Sequence, residues 1–216
     1  SFKSLLGVSP TNSKGKQIIN ITRLETPLGT MFACAAEQGI CLLEFTDRRM
    51  LETEFKSLAK LLNASIVQGT NKHFDLLNQQ LAEYFERKRK KFSVPLFTPG
   101  TEFQQSVWTE LQRIPYGSTR SYKQQSIALK KPKAVRAVAN ANGMNRISII
   151  IPCHRVIGND GHLTGYGGGL WRKKWLLDFE RSFFQKDLFG NKEIFGKKFD
   201  FSISHRKDAK AQRTKN

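Results

Sequence analysis

The sequence predicts an α+β fold: a small amino-terminal antiparallel sheet with its helices, followed by a mostly helical half. Three observations predict it. Short apolar runs separated by turn residues crowd the first 45 positions, helical spacing takes over from about Arg48, and past a basic, proline-containing stretch the long periodic segments are helical. The 216 residues suffice for one large domain or two small ones, and 39% hydrophobic residues supply an ordinary core.

Residues 1–16 form a leader. Ile18 to Leu24 and Met31 to Ala36 read as strands joined by the Thr26-Pro27-Leu28-Gly29 turn, and Ile40 to Phe45 follows as a third strand after Glu37-Gln38-Gly39. That is an antiparallel meander. Helical spacing then runs from Arg48 to Leu62, through Met50, Phe55, Leu58 and Leu61, and from Lys72 to Glu86, through Phe74, Leu77, Leu81 and Phe85. The charge run Arg87-Lys88-Arg89-Lys90-Lys91, with Pro95 and Pro99-Gly100, marks a solvated linker that separates a domain over 17–94 from one over 95–183.

In the second half, Phe103, Val107, Leu111 and Ile114 recur at helical intervals until Pro115-Tyr116-Gly117. Ser121 to Leu129 and Pro132 to Asn142 form two short helices with Pro132 at the first position of the second, a spacing that suits a helix-turn-helix or an ordinary basic hairpin. Lys133 and Arg136 stand beside Ala134, Ala137 and Ala139 there, so the backbone can approach a phosphate chain. Ile147 to Ile151 reads as a buried strand stopped by Pro152, and the glycines from Gly158 to Gly169 as an irregular loop. Trp171 to Arg181 is a last amphipathic helix, and residues 184–216 a basic, loosely ordered tail.

Thirty-six Lys and Arg against eighteen Asp and Glu give a net charge of +18, which calls for a polyanionic partner. Nucleic acid leads, and charge alone also fits a ribosomal protein or a membrane-surface binder. No stretch approaches the roughly 20 apolar residues of a membrane span, and no signal-peptide pattern opens the chain, so an intracellular protein is expected. The three cysteines form no Cys-x-x-Cys pair, which argues against a disulfide framework and a zinc ribbon; no metal site is expected. Cys34 and Cys41, in apolar surroundings, read as core residues.

Cys153 differs, because His154 and Arg155 follow it at the end of an apolar run. A thiol attacks only as thiolate, and an unassisted one is a few per cent ionised at neutral pH, so a neighbouring base is needed. His154 could take the proton through a water, with Glu180 as a candidate to orient it. Adjacency alone is a weak signal, since neighbours on an extended chain point to opposite sides. A reactive and a structural role stay open on these residues.

The run Ile151-Pro152-Cys153-His154-Arg155-Val156-Ile157-Gly158 closely resembles the active-site signature of the O6-alkylguanine-DNA alkyltransferases. The resemblance extends from Gly100-Thr101-Glu102-Phe103-Gln104 through Val107-Trp108, Ile114-Pro115, Ser121-Tyr122, Pro132 to Val138 and Gly165-Tyr166 to Leu176-Leu177 and Glu180. It implies a ribonuclease H-like amino-terminal domain, a helix-turn-helix that enters the minor groove of double-stranded DNA, and a single-turnover repair of O6-alkylguanine, and of O4-alkylthymine, without cofactor or obligate protein partner. In that pattern Cys153 accepts the alkyl group, His154 and Glu180 activate it, Asn145 holds the network, and Tyr122 protonates the leaving guanine. Tyr166 walls the base pocket, with the backbone at Val156 and Gly167 reading the base edge. Arg136 fills the stack vacated by the flipped base, and Tyr122, Lys133, Ala134 and Arg155 complete the DNA contacts.

Two departures bear on the DNA-binding unit. The family shows Leu-Ala where this sequence has Gln125-Ser126, and Gly where it has Lys130, so looser packing is expected there. The leader segment Phe2 to Thr11 is similar to the closing part of an AraC-type helix-turn-helix domain, an arrangement found in Ada-like regulators; a disordered leader is the other reading. A non-enzymatic lesion-binding module with an inert cysteine is the competing function, and the presence of Cys153 disfavours it.

Overall fold

A computed structural model describes residues 15–189, so most of the leader and of the basic tail lies outside the described residues. Strands β1 (Gln17–Leu24), β2 (Met31–Ala35) and β3 (Ile40–Phe45) form the expected antiparallel meander. Helix α1 (Leu51–Leu61) leads into β4 (Ala64–Gln68), a strand with no counterpart in the sequence reading, which pairs parallel with β1 and gives the order β3-β2-β1-β4. The sheet is therefore mixed, because a helical crossover brings β4 back in β1's direction. Helix α2 (Lys72–Phe85) packs Phe74, Leu77, Leu81 and Tyr84 into the core.

The exposed edge of β3 is covered by the second half of the chain. Ile40 N–H donates to Pro95 O and Phe97 N–H to Ile40 O, while Leu43 N–H donates to Arg146 O and Ser148 N–H to Leu43 O. An edge that could otherwise pair with another chain is satisfied internally. The 87–91 run is only partly a solvated linker: Arg87 donates to Phe179 O and to Ser182 Oγ, with its guanidinium 4.2 Å from the Phe179 ring.

Helix α3 (Glu102–Gln112) opens on a Thr101/Gln104 capping box and buries Val107, Trp108 and Leu111. After β5 (Arg120–Ser121) come α4 (Tyr122–Ala128) and α5 (Val135–Gly143), with Ser121 and Gln124 capping α4 reciprocally. Helix α5 begins at Val135, not Pro132: Pro132 and Lys133 sit in a turn, and Ala134 is the N-cap. Chain reversal after α4 consumes those residues. Lys130 takes φ 57°, its N–H donating to Ile127 O and that of Lys131 to Ser126 O, the paired closure that usually employs glycine.

Looser packing at the departures is not what the structure has. Gln125 and Ser126 are fully buried. Gln125 Nε2 donates to Asn142 Oδ1 at 3.2 Å, Asn142 Nδ2 returns a bond to Gln125 Oε1 at 2.7 Å, and Ser126 Oγ donates to Lys123 O. A reciprocal amide pair replaces apolar contact between α4 and α5.

Ile147 to Ile151 is not a strand. Apart from the bridge to Leu43 it folds into tight turns, with Ile149 at φ 71° and Ile150 N–H donating to Ser148 O. Its apolar side chains are buried all round, a pattern that cannot tell strand from buried turn. A single turn of 3-10 helix (Cys153–Arg155) and β6 (Val156–Ile157), parallel to β5, follow. Helix α6 (Leu170–Phe189) continues past residue 184, where the sequence reading began the tail. Lys130→Gly is expected to stabilise the fold by about 1 kcal/mol, since a left-handed non-glycine residue costs that order; urea unfolding at neutral pH measures it.

Candidate active site

The candidate site lies where the carboxy-terminal elements meet β3 and the residues after it. Asn145, on the turn leaving α5, fixes the segment that presents Cys153. Its Oδ1 accepts from Ile147 N–H at 3.0 Å, while Nδ2 donates to Ile151 O at 2.9 Å and approaches Cys153 Sγ at 3.3 Å. Cys153 starts the 3-10 turn directly after Pro152, its N–H bonded to Ile151 O, so the thiol is presented from a tight turn rather than a strand end. The turn breaks the alternation of an extended strand: Cys153 is partly exposed in a cavity and His154 is wholly buried.

His154 Nε2 lies 3.0 Å from Glu180 Oε1, on α6. The same carboxylate accepts from Tyr84 Oη at 2.9 Å, Gly117 N–H at 3.0 Å, and Arg155 through Nε and Nη2, each at 2.9 Å. Burial raises the Glu180 pKa, but His154 and Arg155 outweigh it and hold the carboxyl well below the usual carboxylate range. An ionised Glu180 fixes the histidine tautomer with its proton on Nε2. The Nδ1 atom, buried and without a protein hydrogen bond, then carries the free lone pair of a base.

Burial lowers the His154 pKa from its ordinary 6.5, against the pull of Glu180, so the imidazole is neutral at neutral pH. Burial raises the Cys153 thiol, with Asn145, Lys173 and Arg48 opposing and Glu44 adding to the shift. The thiol is thus stored protonated. Burial likewise lowers Lys173 to about 8; its ammonium donates to Thr164 O at 2.6 Å and Gly165 O at 3.2 Å, tying α6 to the glycine-rich loop.

A cavity of about 330 Å³ opens on the Cys153 thiol, within the size range of small-molecule sites. Its walls include Tyr122, Asn142, Asn145, Tyr166 and Gly167, and also Arg48, Arg49 and Met50 from the amino-terminal half. Tyr122 Oη donates to Thr164 O at 3.2 Å, and burial raises its pKa, so the phenol keeps its proton. Arg136 and Lys133 are exposed, Arg136 on α5 and Lys133 in the turn before it, and Ala134 is half-buried at the N-cap.

One assignment changes. Arg155 cannot contact DNA: it is 6% exposed, committed to Glu180 and to Ile114 O at 2.7 Å, with its guanidinium 5.6 Å from the Tyr116 ring. Val156 is fully buried on β6 and absent from the cavity lining, and the expectation for it concerned its backbone alone. Residues that the sequence reading missed are Arg48, Lys173 and Tyr84; each lies in a run whose side chain could equally face solvent or core. Cys34 and Cys41 are buried core residues, as expected.

Among proteins of known family, a model described as 6-O-methylguanine DNA methyltransferase, DNA binding domain, matches residues 102–182, and one described as the ribonuclease-like domain of the same methyltransferase matches 19–98. A methylated-DNA--protein-cysteine methyltransferase of Methanosarcina barkeri is 41% identical over 160 residues, covering 74% of this chain and 95% of the relative. The constitutive enzyme of that name from Bacillus subtilis is 42% identical, with 74% and 94% covered. The crystal structure of Mycobacterium tuberculosis OGT in complex with DNA superposes with a TM-score of 0.64 at 37% identity, covering 77% of this chain and 94% of that one.

The buried pair gives stability an acid limit. His154 binds fewer protons folded than unfolded, so its contribution is present above the unfolded value near 6.5 and is lost as pH falls below it. Glu180, depressed, contributes above the ordinary carboxylate range and is lost at lower pH still. The urea midpoint is expected to drop between pH 7 and pH 5, with His154→Gln flattening that decline; an unchanged wild-type midpoint contradicts the assignment.

Proposed function

The chain belongs to the O6-methylguanine DNA methyltransferase family, and from that premise we propose that it repairs DNA by direct reversal, moving an alkyl group from guanine O6 onto Cys153 in one turnover. The observation that carries this reading is the partly exposed Cys153 thiol in a recessed cavity, next in sequence to a buried neutral histidine whose other nitrogen is held by an ionised carboxylate. Its substrate is double-stranded DNA carrying O6-alkylguanine, with O4-alkylthymine as a second substrate. The division near residue 95 into sheet-bearing and DNA-binding domains is supported by the limits of the two family models.

The thiol proton passes through a water to His154 Nδ1, and Glu180 stabilises the imidazolium formed. Cys153 Sγ attacks the alkyl carbon, an S–C bond forms as the C–O6 bond breaks, and the electron pair returns to the guanine. Tyr122 supplies the proton that lets guanine leave neutral, and the phenolate is reprotonated from solvent while the His154 imidazolium gives its proton up, so both groups end neutral. The product is a thioether, which no group in the site can cleave. Asn145 steers Sγ through Nδ2 and Tyr166 flanks the base, beside Gly167.

A base within a duplex cannot reach a recessed thiol, so the nucleotide is flipped out. Arg136, exposed on α5, fills the vacated stack, while Lys133 and the backbone at Ala134 hold phosphate. Phosphate contact supplies affinity without base readout, as a lesion finder requires. DNA as substrate puts the site of action in the cytoplasm or nucleoid of a bacterium, or in a nucleus.

Incubation with duplex DNA containing O6-methylguanine is expected to add one methyl group to the Cys153 peptide by mass spectrometry, and Cys153→Ala to abolish transfer while retaining DNA binding. An unmodified peptide with the lesion intact sinks the proposal. Transfer should slow below about pH 6.5 as His154 gains a proton, the ordinary histidine value being an upper bound for the lowered group. Lys133→Ala is expected to weaken duplex binding with a salt slope shallower by about 1. Arg136→Ala should slow transfer from duplex more than from a single strand.

A further inference from the structure

The cavity is not built by the carboxy-terminal half alone. Arg48, from the turn after β3, lines it together with Cys153 and Tyr122. Its side chain is 8% exposed and lies between two carboxylates, with Nη1 2.5 Å from Glu44 and Nη2 2.6 Å from Glu54 on α1. Nη2 also donates to Gly143 O at 3.1 Å, the last residue of α5 and 95 positions away in sequence. A cation at a helix carboxyl end both satisfies a terminal carbonyl and complements the helix dipole.

The other side of the same guanidinium abuts the loop that carries Tyr166. A methyl group added at Gly167 would overlap Arg48 Nη1 and fall 2.5 Å from Cζ, so the backbone there packs directly against the guanidinium. One side chain thereby touches both the end of the DNA-binding helix and the loop that flanks the substrate base. It is rigidly held, because Glu44 is itself fixed by Ser148 Oγ at 2.8 Å, within the turns that lead to Cys153.

Building on the alkyl-transfer reading, we propose that Arg48 is a positioning residue for that reaction: from the amino-terminal half it sets the distance between α5 and the Gly167 loop, and so the width of the base cavity over Cys153. It touches no reacting atom. The two carboxylates hold it at a fixed point, and the two cavity walls take their position from it. A displacement of about 1 Å between the alkyl carbon and Sγ can cost roughly a hundredfold in rate, so such a residue would act on the chemical step more than on DNA affinity.

The test uses the full chain, duplex DNA carrying O6-methylguanine, and single-turnover kinetics over a range of DNA concentrations. Arg48→Met is expected to unfold cooperatively and bind duplex as the wild type does, with the transfer rate constant at saturating DNA lowered roughly tenfold or more. Gly167→Ala, which keeps the Arg48 side chain but forces it and the loop apart, should lower that constant too. The double variant should be no slower than Arg48→Met, because a flexible Met yields to the added methyl group. A wild-type rate constant in folded Arg48→Met, a loss confined to DNA affinity, or additive losses in the double variant overturns the proposal. If Arg48→Met does not fold, a wild-type rate constant in Gly167→Ala overturns it instead. Absence of methyl transfer by the unsubstituted chain would defeat the alkyl-transfer reading itself, a separate result.

Discussion

The Glu180 carboxylate is the constraint on which the rest of this structure depends. It is fully buried, and an ionised carboxylate costs several kcal/mol to bury unless its lone pairs are filled by donors. Five hydrogen bonds from four residues fill them: Tyr84 from α2, Gly117 from the turn after α3, and His154 with Arg155 from the 3-10 turn. These donors come from three separate segments, so the charge can be accommodated only when all are docked onto α6. Catalytic geometry and docking of the two halves are one requirement.

That arrangement explains how the basic residues divide. The net charge of +18 suggests a generally cationic surface, yet four cations do internal work. Arg155 neutralises Glu180, Arg48 joins Glu44 and Glu54, and Lys173 secures the loop at Thr164 and Gly165. Arg172 grips Asp47 with both terminal nitrogens and lies 4.0 Å from the Phe45 ring. Lys133 and Arg136 stay exposed, where the proposed function has them meet DNA. Charge counts identify the partner class, while burial decides which charges reach it.

What was legible in the sequence follows the same division. The meander, the helices with two-turn apolar stripes and the core cysteines announced themselves through local patterns. The family resemblance brought Cys153, His154, Glu180, Asn145 and Tyr122 to one site before any fold was known. Ile147 to Ile151 misled because burial on all sides erases periodicity, and the left-handed Ile149 is a local cost, of order 1 to 3 kcal/mol, that only surrounding packing can sustain. Strand β4 hid because Ala64-Ser65-Ile66 is short and its partner is parallel, distant in sequence. Arg155 misled for an electrostatic reason: a basic residue beside a reactive cysteine suggests an anionic ligand, and here the anion it meets is Glu180.

The state in which the thiol is stored bears on a reaction that consumes the protein. A cysteine with a depressed pKa would be a standing thiolate, open to any electrophile or oxidant that entered the cavity. Here burial keeps the thiol protonated, and the neutral His154 next to it in sequence has one lone pair to offer. In the proposed mechanism the thiolate forms as the proton moves to His154, and the imidazolium is stabilised by a carboxylate already ionised and fully bonded. Under the proposed mechanism reactivity waits until an alkylated base fills the cavity and excludes bulk water, which strengthens the electrostatics of that proton transfer. For a nucleophile that can be spent once, low reactivity while waiting matters as much as speed on the lesion.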